Sequence, residues 1–445
     1  MLRLVCLIAL TPLSCAFAQA PSPGTDLQSV YEYLHANPEL SFQEKESSTL
    51  LAKELEALGF EVSTGLGNDW VMAKAERDQG EVRAGVGGYG VVGVYKNGVG
   101  PTILVRTDTD ALPVAEQTGK PYASKVRQIS WTGVESAVMH ACGHDIHMTS
   151  WVGTARALMA NKDKWSGTLV MIAQPAEELG LGAPALLADG LYEDFPVPDA
   201  NLALHVSSAL EAGKVGYSPG YALAAVDTVD ITVHGSGGHG AYPHTTKDPV
   251  IIAAHIVTSL QTLVSRNINP QEPAVVTVGS IMAGKKHNII SDEATLKLTV
   301  RSYSDDVRQT LLEGITRIAK GQAASFGAPE PSLSFESDYI PSTYNHPDLV
   351  AQSIAAMETV MEKEALVQLP AVMGGEDFAH YGRTKYKIPS FIFWIGGVES
   401  EKIASGERLP SLHSPLFAPD APPAIETGVK AMTAATIAAF NSTKP

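Results

Sequence analysis

The stretch Thr168-Leu169-Val170-Met171-Ile172-Ala173-Gln174-Pro175-Ala176-Glu177-Glu178 predicts a buried strand that ends on two adjacent carboxylates. A short apolar run closed by a proline is typical of a strand inside a sheet that is covered on both faces. Similar strands are predicted at 90–95, 102–106 and 202–204, and helices at 27–59 and 144–161. This alternation indicates an α/β fold, with helices on both faces of the sheet.

Polar residues stand where three of these strands end: Asp108, Glu177, Glu178 and His205. In open α/β sheets, ligands bind outside the carboxyl ends of the strands. We therefore expect these side chains to lie close together at one edge of the sheet.

The middle of the chain predicts a second unit. Its elements follow the order β-α-β-β-α-β of a ferredoxin-like fold, with strands at 226–234, 274–283, 293–303 and 331–340, and helices at 249–266 and 305–326. The unit is inserted between two parts of the α/β domain. We predict one domain formed by residues 21–222 and 341–445, and a lid domain formed by residues 223–340.

The first twenty residues have the pattern of a secretory signal peptide. An apolar run at 4–13 is followed by Ala16-Phe17-Ala18, which fits a cleavage site. The run is too short to span a membrane. We expect residues 1–20 to be removed, together with Cys6 and Cys15, and the mature protein to be secreted or periplasmic.

Composition excludes several classes of function. The 445 residues are 44% hydrophobic and 18% charged, as in a globular protein, and they exceed one ordinary core. The formal net charge of −16 argues against a nucleic-acid or anionic-membrane partner. Two matches to GxGxxG, at 85–90 and 235–240, lack the strand-turn-helix context of a dinucleotide site.

One segment, Met139-His140-Ala141-Cys142-Gly143-His144-Asp145-Ile146-His147, concentrates residues that bind metals. Cys142 is the single cysteine expected in the mature chain, so it has no internal disulfide partner. A thiolate and the imidazole of His144 at this spacing can converge on one cation. His140 and His147 are rival ligands that spacing does not exclude.

Three other segments supply further candidates: Glu177 with Glu178, His205, and His413. Together with the 139–147 segment they suffice for two metal ions that share a bridging ligand. A hydroxide held between two such ions is a strong nucleophile at neutral pH, and a free carboxylate beside it moves the proton. Two alternatives remain open, namely a thiol hydrolase with Cys142 as nucleophile and His144 as base, and a metal-free binding protein.

A set of motifs runs in order over nearly the whole mature chain, at 34–40, 106–113, 139–147, 174–178, 237–239, 375–378 and 412–415. In this set, and most specifically in Met-His-Ala-Cys-Gly-His-Asp followed by Pro-Ala-Glu-Glu, the chain resembles one family. It is the bacterial hippurate hydrolase and plant auxin-conjugate hydrolase branch of the aminoacylase/carboxypeptidase metallopeptidases. The resemblance implies a zinc-peptidase-like mixed sheet flanked by helices, with an inserted ferredoxin-like α+β lid.

The resemblance also assigns roles to residues of this chain. It implies a site in which Cys142 bridges two divalent ions, zinc or manganese with cobalt or nickel as further options, and the remaining ligands are His144, Glu178, His205 and His413. It also implies that Glu177 is the general base and that Asp110 orients a metal ligand. In the same way, His239 would stabilise the oxyanion, often across a dimer interface. Asn288 and Arg301 would bind the substrate.

The activity implied by the resemblance is that of a metal-dependent amidohydrolase, which cleaves an N-acyl or N-aroyl amino acid to a carboxylate and a free amino acid. The alternative is a metallocarboxypeptidase or dipeptidase that uses the same centre on a short peptide. The chain departs from the family at 288–291, where Asn-Ile-Ile-Ser replaces Asn-Val-Ile-Pro and the lid turn loses a proline. We expect a small-molecule substrate and no nucleic-acid or membrane partner. The sequence leaves the oligomeric state open between a monomer and a homodimer formed through the lid.

Overall fold

The computed structural model describes residues 20–442, so the predicted signal peptide lies almost wholly outside the described residues. The first part of the chain alternates helices with strands. Its helices are α1 (Leu27–Ala36), α2 (Lys45–Ala57), α3 (Asn68–Gln79), α4 (His144–Ala160) and α5 (Gly182–Ala188). Its strands are β1 (Glu61–Leu66), β2 (Gly90–Asn97), β3 (Thr102–Asp108), β4 (Arg127–Ile129), β5 (Glu135–Ala137), β6 (Gly167–Gln174), β7 (Ala200–Glu211), β8 (Val215–Tyr217) and β9 (Gly220–Leu223).

Two predicted elements in this part are wrong in extent. The helix predicted at 27–59 is two helices, because Pro38 disfavours helical backbone at Asn37, where α1 ends. The strand predicted to end at His205 continues to Glu211, because its later residues still pair with a neighbouring strand.

The middle part of the chain forms the lid. Its elements are β10 (Ala225–His234), β11 (Gly238–His239), α6 (Pro249–Asn267), β12 (Ala274–Ala283), β13 (Ile289–Ile290), β14 (Glu293–Ser302), α7 (Asp305–Ser325) and β15 (Ser332–Phe335). Four of the strands form an antiparallel sheet in the order β12-β14-β10-β15. The ferredoxin-like order of elements is therefore confirmed, and a separate hydrophobic cluster fills the space between this sheet and its two helices.

The last part of the chain returns to the first domain. Its elements are β16 (Thr343–Asn345), α8 (Pro347–Met357), β17 (Leu366–Gln368), α9 (Ala379–Gly382), β18 (Ser390–Val398), α10 (Ser400–Ser405) and α11 (Ala421–Asn441). The exact boundaries predicted for the two domains stay a prediction.

The larger sheet is mixed. Its order is β1-β2-β6-β3-β7-β18-β8-β17, and the central strands β6, β3, β7 and β18 are parallel. Strands β1 and β2 run antiparallel to their neighbours, and β8 runs antiparallel to β18 but parallel to β17. Separate hydrophobic clusters cover its two faces, one against α1, α2, α4 and α11, and the other against α5 and α9. The predicted α/β class, a mixed sheet flanked by helices with an inserted α+β lid, is confirmed.

An ionic cluster beside α4 joins three segments. The buried imidazole of His35 bonds the carboxylates of Asp145 at 2.6 Å and Glu116 at 3.0 Å. Burial alone would lower the pKa of His35, but these two carboxylates outweigh burial and raise it to about 9. The cluster therefore fixes the first turn of α4 to α1. Among residues 20–442, no helix has the length and hydropathy needed to cross a membrane.

Candidate metal centre

Cys142 and His144 lie at the start of α4, and both are buried. Gly143 between them has a left-handed backbone with φ of 79°. A Cβ at this position would lie 2.4 Å from Val206 Cγ1, so only glycine lets this turn lie against β7. The tight turn brings the thiol and the imidazole to the carboxyl end of the central strands.

Glu177 and Glu178 follow β6 and lie in a single 3₁₀ turn. The carboxylate of Asp110 accepts the N–H of Glu177 at 3.0 Å and the N–H of Glu178 at 3.1 Å. Its Oδ1 also lies 3.4 Å from Nδ1 of His144. The residue predicted to orient a ligand thus contacts the backbone of one predicted ligand and the ring of another.

His205 and His413 approach from β7 and from the loop before α11. Nε2 of His205 lies 3.5 Å from Sγ of Cys142. His413 has a positive φ of 66°, and its N–H donates to the carbonyl of Ala141 at 2.8 Å. That contact directs its Nε2 to a point 3.5 Å from Oε2 of Glu178.

The five predicted ligands form two groups of three donors, and the sulfur of Cys142 belongs to both. The groups are Cys142 with His144 and His205, and Cys142 with Glu178 and His413, with donor atoms within 4.8 Å of one another. Nε2 of His144 and Oε1 of Glu178 are buried and form no hydrogen bond with the described residues. Buried polar atoms without a hydrogen bond destabilise a fold unless an ion binds them. The set of ligand atoms therefore fits two divalent cations. The assignment of each ligand stays a prediction.

The charge of the site also favours cations. Burial raises the pKa of Glu178 to about 7 and, together with repulsion from Glu178 and Glu177, raises the pKa of the Cys142 thiol well above its usual value. Burial opposes the charged form of His144, but Asp108 and other nearby carboxylates raise its pKa to about 10. Divalent cations would stabilise the ionised thiolate and carboxylates.

The rival candidates are placed differently. His147 uses both ring nitrogens, since Nδ1 bonds Asp108 at 2.7 Å and Nε2 accepts the N–H of Val206 at 2.8 Å. His140 is buried, and no group of three close donors among residues 20–442 includes it. A nucleophilic cysteine needs a lowered pKa, whereas burial and the neighbouring carboxylates raise that of Cys142, so the electrostatics of the site do not favour a thiol hydrolase.

Sequence reasoning missed a buried ionic cluster beneath Glu177. The fully buried guanidinium of Arg106 bonds Asp108 at 2.7 Å and Glu376 at 2.8 Å, with Asp377 at 3.1 Å. Burial and repulsion from Glu376 raise the pKa of Glu177 well above its usual value. Arg106 and Glu376 lie inside matched motifs, so the signal was present, but a motif does not show which charges face one another.

A cavity of about 550 Å³ opens above the donors, between the first domain and the lid. Arg301 of β14 lines it together with Leu223, Val226 and Trp394. Two other predicted lid residues are not among the residues that line this cavity. His239 and Asn288 are both exposed, and they belong to the small β11–β13 unit of the lid.

Comparisons with known proteins agree with this geometry. A family model described as Peptidase family M20/M25/M40 matches residues 104–436. N-acetylcysteine deacetylase of Bacillus subtilis is 36% identical over 364 residues, which cover 82% of this chain and 86% of that protein. IAA-amino acid hydrolase ILR1-like 2 of Arabidopsis thaliana is 32% identical over 403 residues, which cover 90% of this chain and 82% of that protein. The solved structure of a dinuclear metal-binding M20 peptidase from Bacillus subtilis superposes with a TM-score of 0.72 at 30% identity, covering 93% of this chain and 97% of that one.

Proposed function

The chain belongs to the M20/M25/M40 peptidase family, and on this premise we propose that it hydrolyses N-acyl or N-aroyl amino acids to a carboxylate and a free amino acid. The predicted resemblance to the amidohydrolase branch is confirmed, and the chain is an amide-bond hydrolase. One observation carries the proposal: two donor groups share the sulfur of Cys142 beside the carboxylate of Glu177, at the floor of one cavity.

The proposed cofactor is a pair of divalent ions held by Cys142, His144, Glu178, His205 and His413. Sulfur, nitrogen and oxygen donors together suit zinc or manganese, with cobalt and nickel as further options. When bound, the ions would lower the pKa of a water molecule and polarise the carbonyl of the scissile amide.

Glu177 is the proposed general base. It lines the cavity, and Asp110 fixes its backbone. Burial and repulsion from Glu376 raise its pKa well above the usual value of a carboxyl, which makes it a stronger proton acceptor than an exposed glutamate. Glu177 would take a proton from the attacking water and deliver it to the nitrogen of the departing amino acid.

Arg301 is proposed to bind the carboxylate of the amino acid. Its guanidinium contacts Oγ1 of Thr299 at 3.1 Å and the carbonyl of Met373 at 3.2 Å. Both of these partners are neutral oxygens, and burial lowers the pKa of Arg301. A half-buried cation that contacts neutral oxygens and faces the cavity favours an anionic group on the substrate.

A dipeptidase or metallocarboxypeptidase is the second candidate, because the superposed Bacillus subtilis protein is a peptidase. Both activities place a free carboxylate next to the scissile amide, so Arg301 would serve either one. A panel of acyl amino acids and dipeptides, compared by kcat/KM, separates them.

The lid is proposed to form a homodimer. Its edge strand β12 pairs only with β14 among the described residues. Ile281 and Met282 on this strand are 54% and 50% exposed, and Ile289 nearby is 57% exposed. An apolar sheet edge of this kind is a surface that a second copy covers. We also propose that, in this dimer, His239 of one subunit reaches the cavity of the other subunit.

Secretion or export to the periplasm remains our proposal for the location of the protein. It is supported by the apolar run 4–13 and the small residues 16–18.

Removal of metal tests the proposed activity. We expect about two divalent ions per chain by elemental analysis, and hydrolysis of hippurate that is lost on chelation and restored by metal. Glu177→Gln should keep the ions but lower kcat by roughly 10²–10⁴. Glu193→Gln, a change at an exposed glutamate, is the control. Hydrolysis that survives complete removal of metal would refute the proposal.

Arg301→Gln tests recognition of the carboxylate. We expect KM for hippurate to rise roughly tenfold to hundredfold, the value of a charged hydrogen bond, with a smaller change in kcat. The wild type should prefer hippurate to its carboxamide analogue, and the variant should lose this preference. Arg317→Gln on the exposed face of α7 should leave KM unchanged. An equal loss for both substrates would mean that Arg301 does not bind the carboxylate.

Ile281→Lys and Met282→Lys test the lid interface. We expect each to convert a dimer to a monomer in light scattering, because two charged edges would then face one another. Val99→Lys, at a surface turn of the first domain that is 98% exposed, should not. If His239 acts across the dimer, mixing and refolding His239→Ala with Glu177→Gln should restore about a quarter of wild-type activity. A monomeric wild type would contradict the interface.

The mass of the mature protein tests export. Protein recovered from the periplasm or medium should begin near residue 19 or 21. Recovery of the intact chain, confined to the cytoplasm, would contradict the proposal.

A further inference from the structure

The backbone before Glu177 has an unusual conformation. Ala176 is fully buried and has a left-handed φ of 53°, which an alanine rarely adopts. Its carbonyl accepts the N–H of Leu181 at 3.2 Å and of Gly182 at 3.1 Å. These bonds fix the carbonyl of Ala176. The orientation of the Ala176 N–H then determines the backbone direction in which the 3₁₀ turn with Glu177 starts.

That N–H is bound by a side chain more than a hundred residues away. Oε1 of Glu44 accepts it at 2.8 Å. Glu44 occupies the N-cap position of α2, yet its carboxyl makes no capping bond to that helix. The side chain of Glu44 therefore binds the backbone of Ala176 instead of capping α2.

Two neighbours of Glu44 reach the same place. The hydroxyl of Ser41 donates to Oδ2 of Asp110 at 2.6 Å, and Asp110 in turn accepts the N–H groups of Glu177 and Glu178. The buried ring of Phe42 belongs to the same apolar cluster as the methyl group of Ala176. Residues 41–44, here called the 41–44 turn, thus bind the base-bearing segment directly through Glu44 and indirectly through Ser41 and Asp110, and they share an apolar cluster with it.

We propose that the 41–44 turn is a positioning element for the reaction, in which Glu44 holds Ala176 in its left-handed conformation and Ser41 holds Asp110, so that Glu177 and Glu178 point into the cavity. The proposal rests on the proposed function for its catalytic consequence, but the contacts themselves do not depend on it. None of the three turn residues lines the cavity, so they act only through the backbone and through Asp110.

The chemistry of Glu44 decides which substitutions are informative. Burial and the nearby Asp110 raise the pKa of Glu44 well above its usual value. Glutamine keeps an acceptor oxygen of the same reach without a charge, whereas leucine keeps the volume and removes the acceptor. A role in positioning therefore predicts that Glu44→Gln is tolerated and Glu44→Leu is not.

Ala176→Gly provides a second test that does not risk unfolding the protein. Glycine relieves the left-handed strain but loses one buried methyl group, so we expect the melting temperature to stay within about 2 °C of wild type. The backbone before Glu177 becomes freer, and we expect kcat to fall about tenfold with little change in KM. Lys387 is a matched control, since it is an exposed residue with a φ of 51° that does not line the cavity, and Lys387→Gly should leave kcat unchanged.

Amide hydrogen exchange of residues 176–178 gives a readout that does not need turnover. Glu44→Leu and Ala176→Gly should both speed exchange at these amides, while Glu44→Gln and Lys387→Gly should not. Wild-type kcat in Ala176→Gly and Glu44→Leu, or unchanged exchange in both, would overturn the proposal. If the wild type hydrolyses no acyl amino acid, the proposed function fails, and the exchange experiment still tests the 41–44 turn.

Discussion

The site depends on one buried cation, the guanidinium of Arg106. It bonds Asp108 at the end of β3 and, through Gln174, the end of β6, and it holds the loop that carries Glu376 and Asp377. Loss of one partner from such a cluster leaves a buried charge unpaired, at a cost of roughly 3–5 kcal/mol. The cluster thus fixes three segments of the first domain relative to one another before any ligand binds.

The same cluster sets the electrostatics of the cavity floor. One guanidinium faces three carboxylates, so negative charge remains in excess beside Glu177. This excess, added to burial, raises the pKa of Glu177 and makes the neighbouring donors attractive to divalent cations. The raised pKa of Glu177 and the negative charge that would attract cations therefore have a common physical cause. The candidate ligands all belong to the first domain and the carboxylate-binding candidate Arg301 belongs to the lid, so the donor geometry does not depend on the position of the lid.

The sequence predicted the fold class well because apolar runs and helical spacing are local signals. Local signals also explain the errors: Pro38 divides a helix that leucine spacing alone extends, and pairing with β18 lengthens the strand that contains His205. The roles of the site residues came from motifs, and the structure brings the five predicted ligands together without testing them as ligands. The bond from Glu44 to Ala176 joins positions 132 residues apart in the chain, and no local pattern marks such a contact.

The distribution of backbone strain gives this geometry an energetic meaning. Among residues 20–442, the non-glycine residues with positive φ are Phe42, Ala176, Lys387 and His413, and only Lys387 lies outside the site and its supporting turn. Each such conformation costs about 1–3 kcal/mol where the side chain is strained, so it persists only if surrounding contacts fix it. The hydrogen bond from the N–H of His413 to the carbonyl of Ala141 fixes the first of these conformations. The hydrogen bond from the N–H of Ala176 to Glu44 fixes the second. Glycine would adopt either conformation with less strain. At 413, however, it would provide no imidazole, and at 176 it would leave the backbone less restricted. The strain is therefore best explained as the cost of holding the imidazole of His413 and the carboxylate of Glu177 in fixed directions.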